Sequence, residues 1–256
     1  MTKVNKRHAM THEKASLVKT RGHAVEKEFA DLIGGRVYSS AIGRKKDVVD
    51  PQDNLHSVKS GDIRWQIFLY GLLRLKNELD FQGSEILVHC LESFPSRRED
   101  YTKDKEKFKL KLGANMIKLK SFLVKSDNKR RFLLKSFFNN GEVDYLTIKE
   151  NGIFHTFYNS DVIKVLDGST YLENSMARHS GQMDAQKVIF KESSSKTTIG
   201  EIEVRHESPR HYRRMLFTMQ APKTLALLKD KLSESKALFG GKLILHCVAL
   251  SKFKET

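Results

Sequence analysis

Apolar positions change spacing several times along this chain, and each change marks an element. Over residues 13–33, EKASLVKTRGHAVEKEFADLI, the residues Leu17, Val25, Phe29, Leu32 and Ile33 fall at mostly helical spacings, and Gly34–Gly35 ends the run. RVYSSAI (36–42) is rich in β-formers and DVVD (47–50) is short and β-branched. PQDN (51–54) is turn chemistry, and LHSVKS (55–60) alternates apolar with polar residues. GDIRWQIFLYGLLRLKNEL (61–79) predicts an amphipathic helix with Asp62 in its cap or first turn, and SEILVHCLESF (84–94) a mostly buried strand. The order is helix, three strands, helix, strand.

Further on, KDKEKFKLKL (103–112) alternates charge with Phe108, Leu110 and Leu112, which suits an edge strand or an extended basic arm. Asn151–Gly152 between YLTIKE and IFHTFY predicts a hairpin across 143–158. More strand is expected at 187–192 and 199–205, a helix over 221–239 with Pro222 in its first turn, and a closing strand over 241–250. EILVHCL (85–91) and KLILHCV (242–248) echo one another, as two buried strands do by chance. The fold class is therefore α/β (α+β), with a β-rich C-terminal half.

Composition narrows what such a fold does. Hydrophobic residues make up 39% of 256, enough for a real core. There are 46 Lys and Arg against 31 Asp and Glu, a net +15, which points to a polyanionic partner and to nucleic acid first. A basic, ribosome-associated protein is the plainer alternative. The excess peaks over 97–136, with 14 Lys and Arg against five Asp and Glu. The longest apolar run, IFLYGLL (67–73), is far short of the roughly 20 residues of a membrane span. The basic N-terminus has no apolar core of a signal peptide. Cys90 and Cys247 form no metal or redox motif, so a reducing cytoplasm is expected. His8, His12 and His23 lack metal-ligand spacing.

The candidate chemistry lies between residues 43 and 71. Phosphodiester hydrolysis needs a metal to polarise the phosphate and activate water, and Mg²⁺ is held by one or two carboxylates plus the phosphate itself. Asp47 heads one short strand. Ser57 and Lys59 lie two apart on the next and share a face. A four-residue turn returns the second strand beside the first, so Asp47 and Lys59 can meet.

These residues, in this element order, resemble the PD-(D/E)XK nuclease superfamily over roughly residues 20–92. The resemblance implies a restriction-endonuclease-like core at 1–95, with 96–256 as a DNA-binding and target-recognition region, separate from the core or continuous with it. It implies Mg²⁺ as cofactor, Asp47 as the first metal-binding aspartate and Lys59 as the motif lysine. Ser57 stands where the family usually has Glu or Asp, and Lys46 where it has proline. Glu26, or Glu28 in the alternative register, matches the helix glutamate that joins such sites and would supply the second metal ligand. Asp50 is a further candidate, although its place before Pro51 suits a turn cap. Gln66 and Tyr70 fit a Q-x-x-x-Y pattern, Gln66 in the catalytic group and Tyr70 toward DNA. DNA contacts are expected from Arg130 and Arg131 in the basic stretch, and from Arg205, Arg210, Arg213 and Arg214 around Tyr212. The activity so implied is Mg²⁺-dependent cleavage of double-stranded DNA by a homodimer of the type II restriction kind. A structure-directed repair or recombination nuclease, and a DNA-binding protein without a working site, are the alternatives.

Overall fold

A computed structural model describes residues 12–39, 45–125, 127–176 and 185–254. Residues 40–42 of the expected β-rich segment, and the basic N-terminus through residue 11, lie outside the described residues.

Helix α1 (His12–Ile33) leads into strand β1 (Arg36–Val37), then β2 (Val48–Val49) and β3 (Leu55–Lys59). A Cβ on Gly35 would meet the carbonyl oxygen of Val49 at 2.4 Å, so only glycine lets the chain leave α1 this close to β2. The three strands form an antiparallel meander. The chain then departs from expectation. Residues 61–79 are not one helix but strand β4 (Arg64–Tyr70) followed by helix α2 (Leu72–Glu78). Trp65, Ile67, Phe68 and Tyr70 are buried while Arg64 and Gln66 are exposed, and a bulge at Ile67 keeps the apolar set inward. Residues 84–94 are not a strand but contain helix α3 (Glu85–Leu91), with Leu87, Cys90, Leu91 and Phe94 buried at three- and four-residue steps.

The basic stretch is helical too, neither edge strand nor arm. It forms α4 (Arg98–Lys103), α5 (Lys105–Leu123) and α6 (Asn128–Phe138). Asp104 caps α5 through the Lys107 amide at 3.1 Å, and Leu112, Met116, Leu119 and Leu123 make its buried face. The charge alternation lies on the exposed face.

Next come β5 (Tyr145–Glu150) and β6 (Ile153–Tyr158), the expected hairpin, with φ of 49° at Asn151 and 83° at Gly152. They are followed by α7 (Asn159–Gly168), β7 (Thr170–Asn174), β8 (Lys187–Glu192), β9 (Thr198–Arg205), β10 (Arg214–Gln220) and α8 (Ala221–Lys231). The helix expected over 221–239 stops at Lys231, and residues 235–238 form strand β11 (Ser235–Leu238). The closing strand is shorter than expected. It comprises β12 (Leu243–His246) and is followed by α9 (Val248–Lys252).

The described strands make two sheets. A mixed seven-stranded sheet runs β1-β2-β3-β5-β6-β12-β11, with β3–β5 and β6–β12 parallel. An antiparallel five-stranded sheet runs β4-β10-β9-β8-β7. Both draw strands from either side of residue 95. One face of the mixed sheet packs Val48, Val58 and Phe154 on Phe29, Ala30 and Ile33 of α1. Leu146, Ile148 and Phe157 belong to the other face, in a larger core with α5, α6 and the second sheet. No described helix is long and apolar enough to cross a membrane.

Candidate active site

Asp47 sits just ahead of β2, where its backbone is pinned on both sides. Its amide donates to the His56 carbonyl and its carbonyl accepts from Tyr38, both at 2.9 Å. Its side-chain Oδ2 accepts from the Val58 amide at 2.7 Å and from the Ser57 hydroxyl at 3.4 Å. Lys59 Nζ donates to Ser57 Oγ at 2.8 Å and lies 3.6 Å from Asp47 Oδ2. Aspartate, serine and lysine thus form one connected cluster, with Ser57 buried and Asp47 and Lys59 17% and 20% exposed. That residual exposure lets the pair reach solvent without being free to swing.

The hairpin is braced from behind. Asp50 and His56 are fully buried, with Asp50 Oδ2 and His56 Nε2 3.6 Å apart, beyond hydrogen-bond length. Asp50 accepts from the amides of Gln52 and Asn54, both at 2.9 Å, and from Asn54 Nδ2 at 2.8 Å. It is the turn cap, not a cleft ligand. Burial works to raise its pKa, but the nearby His56 ring and the bonds from Asn54 outweigh burial and hold it below the usual range. Burial pushes the His56 pKa down against the pull of Asp50. His56 Nδ1 meets Thr147 Oγ1 at 3.0 Å, and Asp144 Oδ2 takes the Leu55 amide at 2.8 Å, so β5 fixes β3 along its length.

Asp47 and Lys59 open onto a cleft of about 170 Å³ whose other wall is β4. Gln66, Tyr70, Lys45 and Arg74 line it as well. Gln66 and Tyr70 therefore meet Asp47 and Lys59, but from a strand and across two sheets, not from one helix face as expected. The Arg74 guanidinium lies 4.5 Å from the centre of the Tyr70 ring, and Lys45 Nζ lies 6.0 Å from it. Lys45 Nζ also donates to the Lys135 carbonyl at 2.8 Å. Burial, then the charges of Lys59, Arg74 and Lys135, push the Lys45 pKa down to about 7, with Glu78 opposing. Lys45 and Arg74 are not among the residues expected at the site, although both left a signal. Lys45 is two residues from Asp47, and Arg74 is four from Tyr70.

Other expected residues lie elsewhere. Glu26 is bound to His23 Nδ1 at 2.9 Å. α1 packs against Val48 and Val58, which alternate with Asp47 and with Ser57 and Lys59, so α1 covers the opposite face of the meander. Glu28 pairs with Lys149. Arg130 and Arg131 are exposed on α6. At the end of β9, Arg205 pairs with Glu203 at 3.0 Å, and in the connection to β10 Arg213 Nε donates to the Leu91 carbonyl at 3.2 Å. Arg210 and Arg214 are exposed beside His211, whose pKa is lowered by burial and then by Arg214, Arg210 and Arg205.

No group of three or more His, Cys, Asp or Glu side chains poised to hold a metal occurs among the described residues. Among the described lining residues, Asp47 is the carboxylate that could take part in holding an ion jointly with a substrate. The contacts of its side chain with Ser57, Val58 and Lys59 fall on Oδ2. Mg²⁺ keeps several waters and commonly takes one or two carboxylates plus phosphate oxygens. No family model, curated protein or solved structure matches this chain.

Proposed function

We propose that this protein is a Mg²⁺-dependent endonuclease acting on double-stranded DNA, with a restriction-endonuclease-like core and the cleft of Asp47 and Lys59 as its active site. The observation that carries this reading is the Asp47–Ser57–Lys59 cluster on adjacent antiparallel strands, opening onto a cationic cleft. The topology supports it. α1, the β1–β2–β3 meander, and β5 parallel to β3 after α6 make a helix–three strands–helix–strand order, with residues 60–127 inserted. The +15 charge supplies the attraction to DNA.

Asp47 would hold the ion, with substrate phosphate and water completing its shell. Bound there, Mg²⁺ polarises the phosphate and lowers the pKa of a water. The Val58 amide and the Lys59 ammonium hold the Asp47 carboxylate in place. Lys59 also presents positive charge where the phosphorane charge develops. Gln66, exposed on the facing wall, can orient water or a phosphate oxygen. Cutting both strands calls for two such clefts, hence a homodimer.

Incubation of closed circular plasmid with Mg²⁺ tests the reading, with Asp47→Asn as the control. Nicked or linear product from the wild type and none from the variant is expected. Intact plasmid under every divalent cation tried, with DNA still bound, would leave a DNA-binding protein. The Ser57 hydroxyl in the carboxylate's place, and α1 on the far face with Glu26, are the observations that favour that second reading.

A further inference from the structure

A second cleft, of about 220 Å³, opens between the β3–β4 connection, the β5–β6 turn and the start of α8. It adjoins the first. Lys59 pairs with Ile148, and Gln66 follows Trp65, so each cleft holds one member of each pair. Sites for drug-sized ligands run to roughly 300–1,000 Å³, so this smaller one suits a single ring system. Ile148, Ala221, Pro222 and Leu225 give it apolar walls.

Its polar groups are of two kinds. Trp65 lines it and is only 3% exposed, and its indole N–H finds no acceptor among the described residues. That group is a donor only and calls for an acceptor on the ligand. The first turn of α8, in the same lining, adds the positive end of a helix dipole. Lys149 pairs with Glu28, and Glu150 lies 2.9 Å from Lys229 Nζ and 3.7 Å from His155 Nε2. Asp62 is exposed and makes no ion pair among the described residues. Its carboxylate is an acceptor only and calls for donors.

A planar ring with an acceptor on one edge and paired donors on another answers both demands. Guanine offers O6 and N7 as acceptors, with N1–H and the N2 amino group side by side as donors. No other DNA base has two donors side by side on one edge, and the acceptor in that place repels a carboxylate. The geometry points to a binding site for a guanine base, in which Asp62 accepts from N1–H and the N2 amino group and the Trp65 indole donates to a ring acceptor. A guanine of a nucleic-acid strand and a free guanine nucleotide bring this same chemistry. Only the first source rests on the nuclease reading above.

Trp65 is the only tryptophan of the chain, so its emission reports on this cleft. The test is titration with guanosine, with inosine (which lacks the N2 amino group) and with adenosine, uncharged nucleosides that the net +15 does not attract. A saturable change in emission is expected, about tenfold tighter for guanosine than for inosine, as one charge-assisted bond contributes. Adenosine should bind more weakly still. Asp62→Ala, at an exposed position, should abolish the preference for guanosine over inosine. Guanosine should also raise the melting temperature of the wild type more than inosine does, which keeps the test valid should the variant fail to fold. Equal response to the three nucleosides, or none, overturns the site, and so does a preference that survives Asp62→Ala. A second arm compares two oligothymidylate strands of equal length, one with a single central guanine, without divalent cations. Tighter binding of the guanine strand assigns the site to nucleic acid. Guanosine binding with equal affinity for the two strands assigns it to a free guanine nucleotide. A guanosine preference without plasmid cleavage leaves this site standing, and cleavage without the preference removes it while the nuclease reading holds.

Discussion

At the scale of single residues, Asp47 has two jobs that different substitutions separate. Its carboxylate faces the cleft and also accepts the amide of Val58, a residue only 7% exposed. Asp47→Ala leaves that amide unpaired, at a cost of about 1–3 kcal/mol. For a chain of this size that lowers the melting temperature by about 2–4 °C per kcal/mol. Asp47→Asn keeps an oxygen acceptor and removes the charge. The expected outcome is loss of cleavage in both variants, with a clear drop in melting temperature only in the alanine one. Equal melting of the two, read by calorimetry, would contradict the Val58 bond. Lys45 makes a second case. Its pKa falls from 10.5 in the unfolded chain to about 7 in the fold, so the unfolded chain binds the extra proton between those values. The charge therefore destabilises the fold fully below pH 7, and the penalty fades as pH rises toward 10.5. Lys45→Met should raise the melting temperature at pH 6 and do so much less at pH 9.

At the scale of elements, α5 and α6 turn charge outward. Lys107, Lys111, Lys118, Arg130 and Arg131 are all exposed. As a backbone-gripping surface they should steepen the salt dependence of DNA binding by about 0.9 log units per contact. Lys118→Gln with Arg131→Gln should lower the measured slope by roughly 2 if both touch phosphate. An unchanged slope removes these helices from the interface. The same elements mark where the sequence was legible. α1, β2, β3, the β5–β6 hairpin and β8–β9 follow from spacing and turn residues, and so did the meeting of Asp47 with Lys59. β4 did not, because Trp65, Phe68 and Leu75 satisfy a helical period while Trp65 and Ile67, then Phe68 and Tyr70 past the bulge, satisfy a strand one, and pairing with β10 decided between them. EILVHCL became α3 and LILH became β12, so the shared apolar run held no period to read. The lysine-rich run hid α5 because its charged residues alternate locally while its buried ones step by three and four. Glu26 was placed by analogy, and only the packing of α1 shows which face it occupies.

At the scale of the whole molecule, the junction of β6 and β12 in the mixed sheet buries a pair of histidines that acid would charge. His155 and His246 are each 4% exposed, with His155 Nδ1 and His246 Nε2 3.2 Å apart. Burial, then the charges of Lys229 and His246, push the His155 pKa down to about 4. His246 is lowered by burial and by Lys229. Both folded values lie below the ordinary 6.5, so the stability involved is intact above pH 6.5 and is lost as pH falls through the folded pKa. For His155 the loss is of order 3 kcal/mol. His155→Gln should therefore flatten the fall of melting temperature between pH 7 and 4.5, and a parallel fall in both proteins would place the acid sensitivity elsewhere. The sheet's parallel neighbours also decide when the cleft can exist. β2 has two residues and β3 five, too little for an isolated ribbon to hold. What fixes β3 is its pairing with β5, together with Asp144 just ahead of β5, which grips Leu55 from 89 residues away. On a chain that leaves the ribosome N-terminus first, Asp47, Lys59, Gln66 and Arg74 are all made early and stay unassembled until β5 emerges. Closing so long a loop makes sheet assembly the slow step. A nascent fragment ending before β5 carries every residue that lines the cleft, yet has no cleft to offer DNA.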